Sequence, residues 1–236
     1  MAGATGGADV SSNLCQRHRV VCGVSHRITE PRAVPVSDFP IALHGERVTA
    51  VVIGGGAVGT RKALALVEAG ASVRVISPLA TPELEDAERL RQVTIVRESY
   101  RSDHLERATL VIAATDSREV NAQIAVDANS RGKLVNITDY PDEGNFHTMA
   151  LHRSGDVTIA VSSGGVPGAA ARIRDAIAER FDGRYERAVS ALRGLRSRLL
   201  ARDEQSWKTA APKLLGDDFC DSVEDGSFSE KVNSWR

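Results

Sequence analysis

Three glycines at the end of an apolar run could hold the pyrophosphate of a dinucleotide. The run VTAVVI is followed by Gly54, Gly56 and Gly59, which match the pattern G-x-G-x-x-G. The first glycine allows a tight turn, the second lets backbone approach a phosphate, and the third lets a helix lie close to the strand. The N–H groups that open this helix, at Ala57 and Val58, would face the anion with the positive end of the helix dipole behind them. The sequence therefore predicts a dinucleotide site, the alternative being a purely structural glycine-rich turn.

A carboxylate later in the chain could transfer a proton beside this cofactor. Asp139 follows the apolar segment LVNI, and its alternative role is to cap a turn in the stretch TDYPDEG. Because the carboxyl ends of parallel strands meet at one edge of a sheet, we expect Ser77, Thr115 and Asp116 to lie near it as cofactor contacts. Asp116 with Ser117 could instead cap the following helix.

A second group of residues could bind a polyanionic ligand. It comprises Ser162, Ser163, Gly164, Arg172 and Arg174. The serines and glycines precede a helix and could form a nest of N–H groups, while arginine forks suit carboxylates. Each feature also has a simpler explanation. The Gly-Gly pair could serve merely to relieve backbone crowding in a turn, and a charged helix face is often merely solvated.

The elements that position these residues alternate between strand and helix patterns, which predicts right-handed βαβ units. The fold class expected is therefore α/β, a Rossmann-type parallel sheet followed by a smaller mixed module of a hairpin and helices. We expect four segments: a disordered arm at 1–37, an NAD-binding Rossmann domain at 38–145, a dimerisation and substrate module at 146–202, and an acidic, poorly ordered tail with at best one helix at 203–236.

Composition narrows the possible functions. The net charge of −1 and the aromatic content of 4% argue against binding to nucleic acid or to a membrane surface, since those need a basic excess or stacking side chains. No apolar run is long enough to span a bilayer and no secretory signal is visible, so a cytoplasmic location is expected. Neither the three cysteines nor His104, His147 and His152 have the spacing of metal ligands, so no resident metal is expected.

Four segments in a fixed order resemble the precorrin-2 dehydrogenase family, which includes the amino-terminal module of siroheme synthase. They are GGGAVGTRK, AATDSREVN, VNITD and IAVSSGG, and the resemblance covers about residues 38–200. This family oxidises precorrin-2 to sirohydrochlorin with NAD, and some members also insert Fe²⁺ into the product. The resemblance implies that Asp139 is the catalytic acid or base, that the substrate is a tetrapyrrole, and that the protein is a homodimer joined largely through the second module.

Several alternatives remain open at this stage. The chain could be a dehydrogenase alone, a dehydrogenase that also inserts Fe²⁺, or a regulatory module that senses NAD without turnover. NAD is favoured over NADP because no arginine cluster follows Ser77 to hold a 2′-phosphate, although Ser77 itself stands where a ribose-binding acid is expected. No region of methyltransferase size follows the second module, so a fused siroheme synthase is not expected.

Overall fold

The computed structural model describes residues 38–235, so the predicted disordered arm at 1–37 lies outside the described part of the chain. The chain divides into two units between Leu43 and His44. Residues 38–43 form neither helix nor strand, and all the helices and strands described below belong to the second unit, which begins at His44. Among the described residues, no helix is long and apolar enough to cross a bilayer.

Strands and helices alternate through most of the first part of this unit, with a short 3₁₀ turn, Ser102–Leu105, in place of a helix between the third and fourth strands. In chain order they are β1 (Thr49–Ile53), α1 (Ala57–Glu68), β2 (Ser72–Ile76), α2 (Pro82–Arg89), β3 (Val93–Val96), β4 (Leu110–Ala113), α3 (Arg118–Ser130) and β5 (Leu134–Ile137). The strands are all parallel, in the order β3-β2-β1-β4-β5. The order reverses between β1 and β4, and such a reversal opens the crevice where Rossmann-type folds bind ligands. The expected α/β fold is confirmed.

The central strand is buried on both faces, which explains its uninterrupted apolar sequence. Ala50 and Val52 pack with residues of α1 and α2 on one face of the sheet. Val51 and Ile53 pack with residues of α3 on the other. The glycine loop at the end of β1 thus leaves a strand that is fixed from both sides.

The second module begins with a hairpin and continues with two helices. They are β6 (Ala150–Ser154), β7 (Val157–Val161), α4 (Pro167–Arg180) and α5 (Gly183–Arg202). Gly155 adopts a φ of +54° in the hairpin turn, a conformation that favours glycine. The sequence predicted a first strand at 146–151. The strand starts later because the chain just before it is bonded to β5, where Asn145 N–H donates to the Val135 carbonyl at 2.9 Å.

The acidic tail differs from the expectation of a poorly ordered segment. It forms α6 (Glu204–Leu214), α7 (Phe219–Glu224) and α8 (Phe228–Asn233). Leu214 and Phe228 are buried in a cluster with Leu195 and Leu199 of α5. Burial of these few large side chains, each worth about 1.5–3 kcal/mol, offsets the polar composition that suggested disorder.

Candidate active site

Two glycines of the loop are required by close packing. Gly54 has a φ of +110°, and a Cβ added there would lie 2.2 Å from the Ala114 carbonyl oxygen and 3.0 Å from the Thr115 nitrogen. A Cβ added at Gly59 would lie 1.9 Å from the Gly54 carbonyl oxygen. Both distances are well inside van der Waals contact. The first and third glycines therefore let β1 turn sharply and let α1 lie against the turn, as their positions in the motif predict.

The second glycine faces open space instead. A Cβ added at Gly56 would meet nothing within 4 Å. Gly56 is the N-cap of α1, so the first N–H groups of the helix, including those of Ala57 and Val58, have no carbonyl partner within it. The first turn carries no acidic side chain. An open backbone, free N–H donors and the positive end of a helix dipole together fit the pyrophosphate of a dinucleotide.

Ser77 lies against this loop, at the carboxyl end of β2. It is buried, with 8% of its surface exposed, and its N–H donates to the Val96 carbonyl at 3.0 Å. A Cβ added at Gly55 would lie 3.0 Å from the Ser77 Oγ. The structure thus brings Ser77 beside the glycine loop, which is consistent with the expected contact to the cofactor.

A buried asparagine joins the ends of β4 and β5. Asn121 of α3 is fully buried, and its Oδ1 accepts from the Thr115 N–H at 3.2 Å and from the Thr115 hydroxyl at 2.8 Å. Its Nδ2 donates to the Thr115 carbonyl at 3.1 Å and to the Asp139 Oδ1 at 3.0 Å. Thr115 also borders Gly54 of the loop. A continuous series of contacts therefore runs from the glycine loop through Thr115 and Asn121 to Asp139.

Asp139 remains accessible at this edge of the sheet. The side chain is exposed, and within residues 38–235 only one of its carboxylate oxygens, Oδ1, has a hydrogen-bond partner. Asn121 therefore fixes the carboxylate while Oδ2 stays able to accept a proton. Asp116 is also exposed, and Ser117 rather than Asp116 caps α3, since its Oγ accepts from the Val120 N–H at 3.3 Å.

We expect Asn121→Leu to lower both stability and turnover. The substitution leaves the Thr115 N–H without its acceptor, at a cost of about 1–3 kcal/mol in the free energy of unfolding. It also releases Asp139, the residue that we expect to transfer a proton, and misplacing such a group lowers turnover by roughly 10- to 100-fold. Urea denaturation and steady-state kinetics measure the two effects. Gln123→Leu, an exposed position on the same helix, is the control, and equal behaviour of the two variants would show that Asn121 does not hold the site.

A short segment after β5 connects the sheet to the hairpin and to α1. The Asn136 Nδ2 donates to the Phe146 carbonyl at 3.1 Å, and the Lys62 ammonium of α1 donates to the Thr148 hydroxyl. Burial, together with the neighbouring Arg61, lowers the pKa of Lys62. The start of the second module is therefore fastened to the helix that follows the glycine loop.

The second predicted nest is open, and one end of it is joined to this segment. Gly164 and Gly165 have φ values of +58° and +87°, and added Cβ atoms would meet nothing within 4 Å. The Ser162 Oγ lies 3.2 Å from the His147 Nε2. The Ser163 hydroxyl instead donates to the Val166 carbonyl. The loop is thus available to a ligand, although one of its two hydroxyls is already used within it.

The two arginines expected near this nest differ in their surroundings. The Arg174 Nε donates to the Asp175 Oδ1 at 2.9 Å, so its charge is partly neutralised. Arg172 is exposed and has no ion pair among the described residues. Arg172 is therefore more available than Arg174 to a carboxylate.

A separate groove of about 480 Å³ between α5 and α8 contains none of the predicted site residues.

Asn121 is the residue whose role the sequence did not assign. One signal in the sequence could have found it. On α3 it shares a face with Ile124, Ala125 and Ala128, all of which are buried. A polar side chain at the apolar position of a helix needs buried partners, and here they are the ends of two strands.

Comparison with known proteins shows what this chain is similar to. Residues 41–150 match a family of NAD(P)-binding domains. The chain is 34% identical over 195 residues to siroheme synthase of Photobacterium profundum, covering 82% of this chain and 40% of that protein. It is 33% identical over 186 residues to siroheme synthase of Chromobacterium violaceum, covering 76% and 40%. The chain thus spans about 40% of the length of these curated relatives.

A solved structure shares the fold over nearly the whole unit. The structure described as "SirC, precorrin-2 dehydrogenase" superposes with a TM-score of 0.69 and covers 84% of this chain and 100% of its own. The sequence identity is 21%. At that identity the likeness concerns the fold.

Proposed function

We propose that the chain belongs to the same family as the precorrin-2 dehydrogenase module of siroheme synthases, and that it oxidises precorrin-2 to sirohydrochlorin with NAD. The observation that carries this proposal is the unbroken series of contacts from Gly54 through Thr115 and Asn121 to Asp139. It supports the proposal because the glycine loop and an accessible carboxylate lie on one edge of one sheet. These are the two groups that a dehydrogenation needs.

The residues divide the work of the reaction between them. The bound cofactor supplies the acceptor for a hydride that leaves a ring carbon of precorrin-2. The Oδ2 atom of Asp139 accepts the proton that the macrocycle loses. Asn121 keeps the carboxylate in place through its hydrogen bond to Oδ1. The balance is precorrin-2 and NAD⁺ giving sirohydrochlorin, NADH and a proton. Ser77, Thr115 and Asp116 would contact the ribose and nicotinamide side of the cofactor.

The second module would supply the contacts to the substrate. Precorrin-2 is a polycarboxylate. The open loop Ser162–Ser163–Gly164 offers N–H groups, and Arg172 offers a guanidinium that has no ion pair within residues 38–235. Arg174 would take part only by releasing Asp175. The anchoring of this module to α1 through Lys62 and Thr148 supports a location beside the cofactor.

An assay with both substrates tests the proposed function. Purified protein supplied with precorrin-2 and NAD should produce NADH absorbance together with the spectrum of sirohydrochlorin. NADP should serve less well, because no basic cluster follows β2 to hold a 2′-phosphate. Tight binding of NAD without turnover of precorrin-2 would instead indicate an NAD-sensing module.

Insertion of Fe²⁺ into sirohydrochlorin is a second activity that the carboxylate of Asp139 favours. Metal insertion requires an acceptor for pyrrole protons, and Oδ2 of Asp139 is such an acceptor. An assay with sirohydrochlorin and Fe²⁺, corrected for spontaneous insertion, separates a bifunctional enzyme from a dehydrogenase alone.

We further propose that two copies associate through the second module. Ala170 is the single buried residue in α4, although the helix is 14 residues long. Large apolar side chains nearby are exposed, with Val166 at 57%, Ile173 at 48% and Leu151 at 43%. A helix with so little buried surface contributes little stability alone, so a second copy is the partner that the family resemblance indicates.

Ile173→Glu should therefore convert a dimer into a monomer. The charge would be placed on the apolar face that two copies share, where burial without a partner is unfavourable. Light scattering after size-exclusion chromatography measures the mass. Val126→Glu, at an exposed position of α3, is the matched control. A mass that stays at two chains in Ile173→Glu would exclude this face as the interface.

A further inference from the structure

An exposed aromatic ring stands directly beside the candidate catalytic carboxylate. Tyr140 follows Asp139 in the chain, and 54% of its surface is exposed. The Arg118 guanidinium carbon lies 4.1 Å from the centroid of the ring. At this distance the guanidinium covers one face of the ring and is attracted to it. Because more than half of the side chain remains exposed, the opposite face is open.

The arginine that supports the ring is itself fixed. Arg118 is the first residue of α3, and its guanidinium forms an ion pair with Glu143 in the 3₁₀ turn Pro141–Glu143. The bond to Glu143 is the main reason that the pKa of Arg118 is raised, and Asp139 adds to it. The guanidinium thus remains charged and is held between a carboxylate and the ring. Asn121, one turn further along α3, holds Asp139 from the same helix.

We propose that the open face of Tyr140 stacks on the flat conjugated ring system of the tetrapyrrole. The inference rests on the proposed function and adds a specificity-determining residue to it. A supported aromatic face suits a planar macrocycle, and stacking here would bring a ring carbon of the substrate to the neighbouring Asp139. The carboxylate arms of the substrate would be left to the second module.

The position of the ring favours the macrocycle over the nicotinamide. Tyr140 follows β5, which is separated from β1 by β4. Neighbouring strands are about 4.8 Å apart, so Tyr140 lies roughly 10 Å along the sheet from the glycine loop. A macrocycle is wide enough to reach from that place toward the crevice.

Binding of sirohydrochlorin, the product of the proposed reaction, tests the inference without turnover. Tyr140→Ala should weaken sirohydrochlorin binding by about five- to tenfold, the range expected for one aromatic stacking contact. Tyr140→Phe should bind as the wild type does, because the hydroxyl has no hydrogen-bond partner among the described residues. NAD affinity measured by calorimetry should stay unchanged in both, and Val126→Ala is the control for loss of exposed apolar surface.

The supporting arginine gives a second, independent measurement. Arg118→Met should weaken sirohydrochlorin binding by about threefold, and the loss should not add to that of Tyr140→Ala in the double variant, since both remove one stacked unit. Arg131→Met, at the other end of α3, is the matched control.

The outcomes separate this inference from the function on which it rests. Sirohydrochlorin binding unchanged in Tyr140→Ala would overturn the stacking role alone, and so would an equal loss of NAD affinity, which would assign the ring to the nicotinamide. A wild-type protein that binds NAD and not sirohydrochlorin would overturn the proposed function and the stacking role together.

Discussion

Asp139→Asn is expected to lower turnover of precorrin-2 by at least about 100-fold, the contribution of a positioned general acid or base. The replacement has the same shape, and its amide oxygen still accepts from the Asn121 Nδ2, so the position of the side chain is kept. What is lost is the ability to take a proton at the second atom. NAD affinity and thermal stability should therefore stay close to those of the wild type.

Asp142→Asn makes the same chemical change three residues later and serves as the control. Asp142 is exposed in the 3₁₀ turn and has no ion pair within the described residues. Turnover of precorrin-2 by Asp142→Asn should match that of the wild type. Full activity of Asp139→Asn would show that this carboxylate only caps a turn, which is the simpler role that the sequence TDYPDEG allows.

Gly56→Asp should reduce NAD affinity by on the order of 100-fold or more, because a like charge placed against an anion costs several kcal/mol. The new carboxylate would occupy the open space over the first N–H groups of α1, where the pyrophosphate is expected. The fold should tolerate the change, since nothing lies within 4 Å of the added Cβ. Calorimetric titration with NAD measures the loss, and the melting temperature tests the tolerance.

Gly59→Ala should lower the stability of the fold, whereas Gly56→Asp should lower NAD affinity and leave stability unchanged. Its Cβ would lie 1.9 Å from the Gly54 carbonyl oxygen, so α1 would have to move. Overpacking of this kind costs about 1–3 kcal/mol, and the melting temperature should fall. Gly56→Asp with undiminished NAD affinity would place the cofactor elsewhere, whatever the stability of either variant.

The sequence predicted the local geometry of the glycine loop. The sharp turn at Gly54 and the close helix packing at Gly59 involve one turn and one helix start, so the glycine spacing was sufficient to predict them. The parallel sheet followed from the alternation of strands and helices, since crossover connections are right-handed. The common edge that Thr115 and Asp139 occupy is a consequence of that topology.

Contacts between distant segments were beyond the reach of the sequence. The link from Asn121 to Asp139 requires the register of α3 against β5, which no local pattern gives. The stacking of Arg118 on Tyr140 depends on the same register. Only the structure showed these two contacts.

The tail illustrates the same limit in the packing of the fold. Composition indicated disorder after residue 202, yet three helices form there because α5 offers an apolar face. Polar contacts add to it, since Glu224 of α7 accepts from the Tyr185 hydroxyl at 2.7 Å and from the Arg180 Nε at 2.6 Å. Their partners lie far away in the chain, so composition alone could not reveal them.

The central claim is that the dinucleotide and Asp139 act in one crevice. A crystal structure of the protein with NAD and sirohydrochlorin tests it most directly. We predict the pyrophosphate over Gly56, the macrocycle between the nicotinamide and Tyr140, and a carboxylate oxygen of Asp139 within hydrogen-bond reach of the macrocycle, directly or through one water. A macrocycle bound away from the carboxyl edge of the sheet, or an Asp139 side chain facing away from both ligands, would contradict the account.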